Sequence, residues 1–221
     1  MRFLLEPLLT TEQVSEIRAA LLGRDAIWED GSLTAGAQAR DAKQNWQLDR
    51  DSKLFETLRG SIAEAMLDHP LVRAAALPLR LHSLLFSRTE PGQGYGQHVD
   101  NPFMTGGRTD CSFTLFLTDP ESYAGGELTI HHPSHSESFK LPAGHAIVYP
   151  SSALHQVEPV THGCRLVAAG WIQSVIRDPQ QRELLFELQT ATRSLAARLD
   201  RCAELDLLYK CHANLLRMWG N

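Results

Sequence analysis

Short β-prone runs, separated by turn residues, follow one another from Leu79 to about Ile176. The runs are LRLHSLLFSR, CSFTLFLT, GGELTI, ESFKL, HAIVYP, LHQVEPV and CRLVAAGWIQSVI. With the earlier segment IWEDG they give seven or eight strands at regular spacing. This spacing predicts a mainly β fold, either a sandwich or a jelly-roll barrel, and argues against an alternating βαβ sheet.

Helical patterns precede the β-prone region. Thr10 and Gln13 form a capping box, which predicts a helix of about 12 residues with Val14, Ile17 and Leu21 at helical spacing. A second helix is predicted from Ser52 to Asp68, where Pro70 ends it. Its predicted apolar face is formed by Leu54, Leu58, Ile62 and Ala65. We expect these two helices to brace the sheet.

A helical pattern returns after Asp178 and Pro179. One predicted stripe is Leu184, Leu188, Ala191, Leu195 and Leu199, and the other is Leu205, Leu208, His212, Leu215 and Trp219. We expect these stripes to pack on the rest of the chain; the alternative is a homodimer surface. The chain therefore divides into a jelly-roll domain with N-terminal helices, residues 1–178, and a C-terminal helical subdomain, residues 179–221.

Composition excludes several classes of protein. A 221-residue chain that is 43% hydrophobic and 21% charged has the make-up of a globular domain with a core of its own. A net charge of -5 gives no basic footprint for nucleic acid or for an anionic membrane. The opening segment MRFLLEPLLTTEQ is neither a secretory signal nor a membrane span, and the four cysteines form no C-x-x-C pair. We expect a cytoplasmic protein with reduced thiols.

A histidine and an aspartate stand two residues apart in the segment GYGQHVDNPF. On an extended strand, His98 and Asp100 point to the same side and can hold one metal ion together. A third ligand is expected from a distant strand, because a barrel brings together the ends of strands that are far apart in sequence. His155, at the start of the run LHQVEPV, is the best candidate. Two histidines and one carboxylate on one side of a metal form the facial triad of non-haem Fe(II) oxygenases.

Arg165 is the fourth residue of interest. If the chain reverses near Val160, an antiparallel hairpin places Arg165 roughly opposite His155 and directs its guanidinium into the same cavity. An arginine inside a barrel needs an anion, and its planar fork matches a carboxylate. The distal carboxylate of a dicarboxylic cosubstrate that also chelates iron would fit.

The chain resembles the PKHD-type hydroxylases, which are bacterial Fe(II)/2-oxoglutarate dioxygenases related to prolyl 4-hydroxylases and often linked with iron uptake. The resemblance covers nearly the whole chain. It rests on YGQHVDN, TDPESYAGGEL, KLPAGHAIVYPSSALHQVEPVTHGCR and IRDPQQRELLFEL.

The resemblance implies a double-stranded β-helix barrel that hydroxylates a substrate and releases succinate and CO2. By resemblance, His98, Asp100 and His155 are the iron ligands, and Arg165 binds 2-oxoglutarate. Fe(II), 2-oxoglutarate and O2 are the implied cofactors and reactants, with L-ascorbate supporting turnover. The substrate, a small molecule or a peptidyl residue, is not identified by the sequence.

Two positions depart from the family pattern. Thr89 follows Arg88 where many relatives have an aromatic residue, and His145 stands where relatives usually have an acid. We expect these departures to affect the cosubstrate pocket and substrate selection. The histidine-rich segment with His131, His132 and His135 is expected to be a polar loop; an accessory metal site is the alternative.

Two rival functions use the same residues. A zinc hydrolase could bind its metal through two histidines and an aspartate, but it leaves Arg165 without a role. A non-catalytic barrel that senses 2-oxoglutarate or iron could keep every ligand. Succinate formation separates the dioxygenase from both rivals.

Overall fold

The protein is described by a computed structural model over residues 1–34 and 43–220. In chain order, the strands are β1 Phe3–Leu5, β2 Trp28–Asp30, β3 Lys43–Gln44, β4 Trp46–Leu48, β5 Pro78–Thr89, β6 Gly94–His98, β7 Phe103–Met104, β8 Gly107–Arg108, β9 Cys111–Phe116, β10 Ala124–Gly125, β11 Leu128–His131, β12 Ser136–Phe139, β13 Ala146–Pro150, β14 Leu154–Val157, β15 Val160–His162 and β16 Arg165–Ser174. The α-helices are α1 Thr11–Leu22, α2 Lys53–Asp68, α3 Pro70–Ala75, α4 Pro179–Ala196 and α5 Ala203–Trp219.

Two antiparallel sheets form the body of the protein. The major sheet has the strand order β1-β13-β9-β16-β5-β4-β2, and the minor sheet has the order β12-β11-β14-β6-β3. Two short ribbons, β10-β15 and β7-β8, lie outside them. Most neighbours in each sheet, such as β9 and β16 or β6 and β14, come from distant parts of the sequence, as in a jelly roll, so the predicted mainly β fold is confirmed.

The N-terminal helices cover the major sheet as predicted. The capping box of α1 is present, with Thr10 accepting from the Gln13 backbone N–H and the Gln13 side chain accepting from the Thr10 backbone N–H. The buried side chains of α2 are Phe55, Leu58, Ile62 and Met66. The predicted face with Leu54 and Ala65 is therefore rotated slightly, because these two are only half-buried at its edge. Pro70 ends α2 but also begins α3, where a proline fits the first turn.

The inner face of α4 differs from the predicted stripe. Its buried residues are Arg182, Leu185 and Thr192, whereas Leu184 is 50% exposed. Arg182 can be buried on this face because its guanidinium donates to the carbonyl oxygens of Ile176 and Arg177 at 2.8 and 2.9 Å. The spacing of hydrophobic residues cannot predict a buried helix face that includes an arginine and a threonine.

The stripe on α5 is the less exposed face of that helix, as predicted. Leu205 is buried, and the other four members are half-buried. The helix α4 packs against α3 and α5, so the helical appendage contacts the rest of the chain as expected. A separate C-terminal domain and a homodimer through these helices stay predictions.

The four cysteines, Cys111, Cys164, Cys202 and Cys211, are free thiols, as expected. Within residues 1–34 and 43–220, no helix combines the length and the apolar character that crossing a membrane requires.

Candidate active site

A cavity of about 1240 Å³ opens between the major and minor sheets. His98 and His155 line it from β6 and β14 of the minor sheet, and Asp100 follows β6 by two residues. Arg165 lines the same cavity from the first residue of β16 in the major sheet. The structure thus places all four residues singled out from the sequence around one space.

The two histidines and the aspartate converge because β6 and β14 are neighbouring strands. His155 lies directly opposite His98 in the antiparallel register, and their ring centroids are 4.2 Å apart. The Nε2 atoms of His98 and His155 each lie 3.9 Å from Oδ1 of Asp100. One donor atom from each side chain falls within 4.8 Å of the other two. Three donors are therefore aimed at one point on the cavity wall.

Both imidazoles are held in the form that binds a metal. The Nδ1 atom of His98 lies 2.8 Å from the Gly96 carbonyl oxygen, and that of His155 lies 2.9 Å from the Ala153 carbonyl oxygen. Because a carbonyl only accepts, Nδ1 carries the proton and Nε2 presents its lone pair to the cavity. Burial, followed by the proximity of His155, lowers the pKa of His98 to about 4. His98 is accordingly neutral at pH 7.

The aspartate is oriented from the opposite sheet. Ser112 on β9 donates its hydroxyl to Oδ2 of Asp100 at 2.5 Å, and Ser151 Oγ lies 2.8 Å from Ser112 Oγ. This bond turns Oδ1 toward the two imidazoles. Sequence reasoning missed Ser112, because it is one of several small polar residues in a β-prone run and its contact crosses between the sheets.

Tyr95 and Lys43 extend the minor-sheet wall beside His98. The Tyr95 ring stacks on the His98 ring with 3.6 Å between centroids, and Lys43 Nζ lies 5.3 Å from the Tyr95 centroid. Burial, with a smaller effect of Asp100, raises the pKa of Tyr95 to about 12. Burial, with a smaller effect of Arg50, lowers the pKa of Lys43 to about 8. No pattern in the sequence singles out either residue.

The predicted hairpin between His155 and Arg165 is wrong. The strand β14 pairs with β11 and β6 in the minor sheet, whereas β16 pairs with β5 and β9 in the major sheet. Between them, β15 pairs with β10, and Gly163 turns the chain at a φ of 72°. Arg165 therefore reaches the cavity from the sheet opposite His155, where its register partner is Thr89.

The Arg165 guanidinium is a buried cation, and one of its hydrogen-bond donors has no partner in the described part of the chain. The residue is 3% exposed, and its Nε has no hydrogen-bond partner among the described residues. Its Cζ lies 5.6 Å from the centroid of the Phe116 ring. Burial lowers the pKa of Arg165 from its ordinary value, but a guanidinium keeps its proton in proteins. A buried cation of this kind favours an anionic ligand in the cavity.

These residues fit an Fe(II) ion and a dicarboxylic cosubstrate. Two imidazoles and a carboxylate present the donor set of the facial triad. Arg165, whose Nε has no partner among the described residues, lines the cavity into which these donors point. A dicarboxylate could therefore engage the metal at one end and the guanidinium at the other.

The comparison with known proteins decides the family. Residues 84–173 match the 2OG-Fe(II) oxygenase superfamily, and residues 179–221 match the PKHD-type hydroxylase C-terminal domain. A PKHD-type hydroxylase of Prochlorococcus marinus (strain MIT 9313) is 48% identical over 221 residues, the whole of both chains. One from Acaryochloris marina is 49% identical over 216 residues, 98% of each chain. The chain belongs to the PKHD-type hydroxylases.

This membership confirms the resemblance drawn from the motifs. A PKHD-type hydroxylase with a 2OG-Fe(II) oxygenase barrel is a 2-oxoglutarate-dependent oxygenase, with Fe(II), 2-oxoglutarate and O2 as its cofactors and reactants. The structural relatives agree on the fold. A prolyl-4-hydroxylase of Pseudomonas putida has a TM-score of 0.57 at 19% identity, covering 78% of this chain and 92% of that one. A prolyl hydroxylase of Trichoplax adhaerens has a TM-score of 0.58 at 12% identity, covering 83% and 86%.

The two departures from the family pattern lie in different places. Thr89 is buried, lines the cavity and pairs with Arg165, so it borders the predicted cosubstrate pocket of this PKHD-type hydroxylase. His145 precedes β13 and is not among the residues that line the cavity. A direct effect of His145 on substrate selection therefore has no support in the geometry.

Proposed function

We propose that this oxygenase hydroxylates a C–H bond of an organic substrate while converting 2-oxoglutarate to succinate and CO2. One oxygen atom of O2 enters the product hydroxyl, and the other enters the new carboxylate of succinate. The observation that carries the proposal is the buried guanidinium of Arg165, whose Nε lacks a protein partner among the described residues and which shares a cavity with three converging metal donors.

Each residue has a defined task in this proposal. His98 Nε2, Asp100 Oδ1 and His155 Nε2 hold Fe(II), and the Arg165 guanidinium binds the distal carboxylate of 2-oxoglutarate. Bound Fe(II) supplies the redox chemistry that activates O2. The Gly96 and Ala153 carbonyls accept from Nδ1, so they orient both rings with Nε2 toward the cavity. L-Ascorbate would support turnover by keeping the metal reduced.

Ser112 provides a test of the metal assignment. We expect Ser112→Ala to weaken Fe(II) binding by about 10- to 100-fold, because residues that orient a metal ligand contribute about this much to affinity. The measurement is anaerobic equilibrium dialysis against Fe(II), with Mn(II) as a redox-stable substitute. Ser87→Ala is the matched control, since Ser87 also lines the cavity but bonds to Asn45 and not to Asp100. Equal Fe(II) affinities in the two variants would contradict the proposal that Ser112 orients Asp100 as a metal ligand.

The cavity walls favour a substrate that carries an acidic group. Lys43 is 8% exposed and lines the cavity beside Tyr95, and Arg50 lines the same cavity from an exposed position. Arg50 is close enough to help lower the pKa of Lys43. A carboxylate or phosphate on the substrate would complement the positive charge that these two residues bring to the cavity wall.

Succinate formation tests the proposed reaction. Fe(II)-loaded protein is incubated with 2-oxoglutarate and ascorbate under air, with a panel of small carboxylic acids, amino acids and peptides and their amides. We expect succinate formation that rises with particular acids, accompanied by a product heavier by one oxygen atom. A hydrolase or a sensor would make no succinate. Equal stimulation by the amides would contradict the proposed acidic group on the substrate. It would not contradict the proposed hydroxylation.

A further inference from the structure

A second group of metal-binding side chains lies outside the active-site cavity. His132 and His135 stand in the turn between β11 and β12, and Glu137 is the second residue of β12. One donor atom from each of the three falls within 4.8 Å of the others. The two imidazole rings are stacked with 4.7 Å between centroids and 15° between planes. The hairpin therefore brings two imidazole nitrogens and one carboxylate oxygen close together.

The spacing of the donors suits a small divalent ion. Nε2 of His132 lies 3.2 Å from Glu137 Oε1, and Nε2 of His135 lies 3.4 Å from the same oxygen. Zinc–ligand bonds of about 2.0–2.1 Å at tetrahedral angles separate neighbouring donors by roughly 3.3–3.4 Å. The two Nε2–Oε1 separations are therefore close to those between neighbouring ligands of one ion. The exposed imidazole rings would rotate out of their stacked arrangement to direct both lone pairs at that ion.

Neighbouring groups orient the donors. Arg2 forms an ion pair with Oε2 of Glu137, which leaves Oε1 for the two imidazoles. The hydrogen bond from Arg2 is the main reason that the pKa of Glu137 is lowered. Ser134 Oγ lies 3.2 Å from Nδ1 of His135, so Nε2 of that ring faces the carboxylate. Partners of this kind set the direction of ligands at metal sites.

The hairpin lies at the active-site end of the minor sheet. Ile130 on β11 is opposite His155 on β14, and His131 is opposite Leu154. Nε2 of His131 lies 3.2 Å from the side-chain nitrogen of Gln97, which lines the cavity and precedes His98. The turn therefore begins directly after His131, which contacts the cavity-lining residue Gln97.

We infer that His132, His135 and Glu137 form a second divalent-metal site, of the class that takes Zn²⁺ or Co²⁺, on the hairpin beside the active-site cavity. Imidazole and carboxylate donors without thiolate suit these borderline ions. Three protein ligands on an exposed turn leave a fourth position for water. This inference does not depend on the proposed hydroxylation.

The test counts bound metal per chain. Tag-free protein is dialysed anaerobically against Co²⁺, which reports its coordination by visible absorption, and bound metal is measured by elemental analysis. We expect two ions per chain in the unaltered protein and one in His132→Ala/His135→Ala. His98→Ala/His155→Ala should also bind one, with the stronger absorption of a four-coordinate Co²⁺ ion. His162→Ala, which removes an exposed histidine of β15, should still bind two.

Two results would overturn the inference. One is that the unaltered protein binds a single ion and that His98→Ala/His155→Ala binds none. The other is that His132→Ala/His135→Ala still binds two ions. Circular dichroism of each variant confirms that it is folded, and Glu137→Gln, which keeps the shape of the side chain, should also lose the hairpin ion.

Discussion

Replacement of either His98 or His155 by alanine should abolish succinate formation while the protein keeps its fold. Each imidazole supplies one of the three donors, and two remaining donors would not hold Fe(II) in place. The fold should survive because both side chains project into the cavity at strand ends and lie outside the two hydrophobic core clusters. Succinate production, bound iron and thermal unfolding are the measurements.

The exposed His162 provides the control for these substitutions. His162→Ala should retain both iron and full activity. If His98→Ala or His155→Ala still formed succinate with iron bound, that residue would be excluded as a ligand. A variant that lost activity but unfolded at a much lower temperature would contradict the expectation that the ligands lie outside the core.

Replacement of Arg165 by alanine should raise the concentration of 2-oxoglutarate needed for turnover by one to several powers of ten. A charge-assisted hydrogen bond contributes about 1.5–3 kcal/mol, and a bidentate pair in a buried site contributes more. Iron affinity should change little, because Arg165 approaches from the major sheet and His98 and His155 belong to the minor sheet. The measurements are the KM for 2-oxoglutarate and the dissociation constant for iron.

Arg165→Lys separates charge from shape. It keeps a cation but removes the planar fork, so we expect a KM between those of the unaltered protein and Arg165→Ala. Loss of iron binding in Arg165→Ala, with unchanged dependence on 2-oxoglutarate, would assign the arginine to the metal site and contradict the proposal.

Local signals in the sequence predicted the elements well. The capping box of Thr10 and Gln13 marked the start of α1, and the β-prone runs marked the strands, because these patterns depend on near neighbours. Buried polar residues explain the main failure. Arg182 occupies the inner face of α4 by bonding to two carbonyls, and no apolar period can reveal this.

The four residues singled out from the sequence share one cavity, but the way the strands bring them together was not predicted. The spacing of His98 and Asp100 indicated a metal site. The run LHQVEPV supplied His155, and the expected chain reversal near Val160 supplied Arg165. The pairing of strands between distant segments decided where Arg165 lies, and the assumption of a simple hairpin missed β15 and the turn at Gly163. Ser112, Tyr95 and Lys43 were not found because their roles depend on contacts between residues remote in sequence.

The way the two imidazoles are fixed bears on how such an enzyme can change its substrate. His98 and His155 each use the backbone carbonyl two residues earlier in their own segment, so among the described residues a backbone group, and not a side chain, sets the proton on Nδ1 of each ring. Replacements at cavity-wall positions that contact neither the two imidazoles nor Asp100 can therefore reshape the space around a substrate without changing how His98 and His155 are held. Selectivity and metal chemistry become separable, and a family built on this barrel can diversify in one while keeping the other intact.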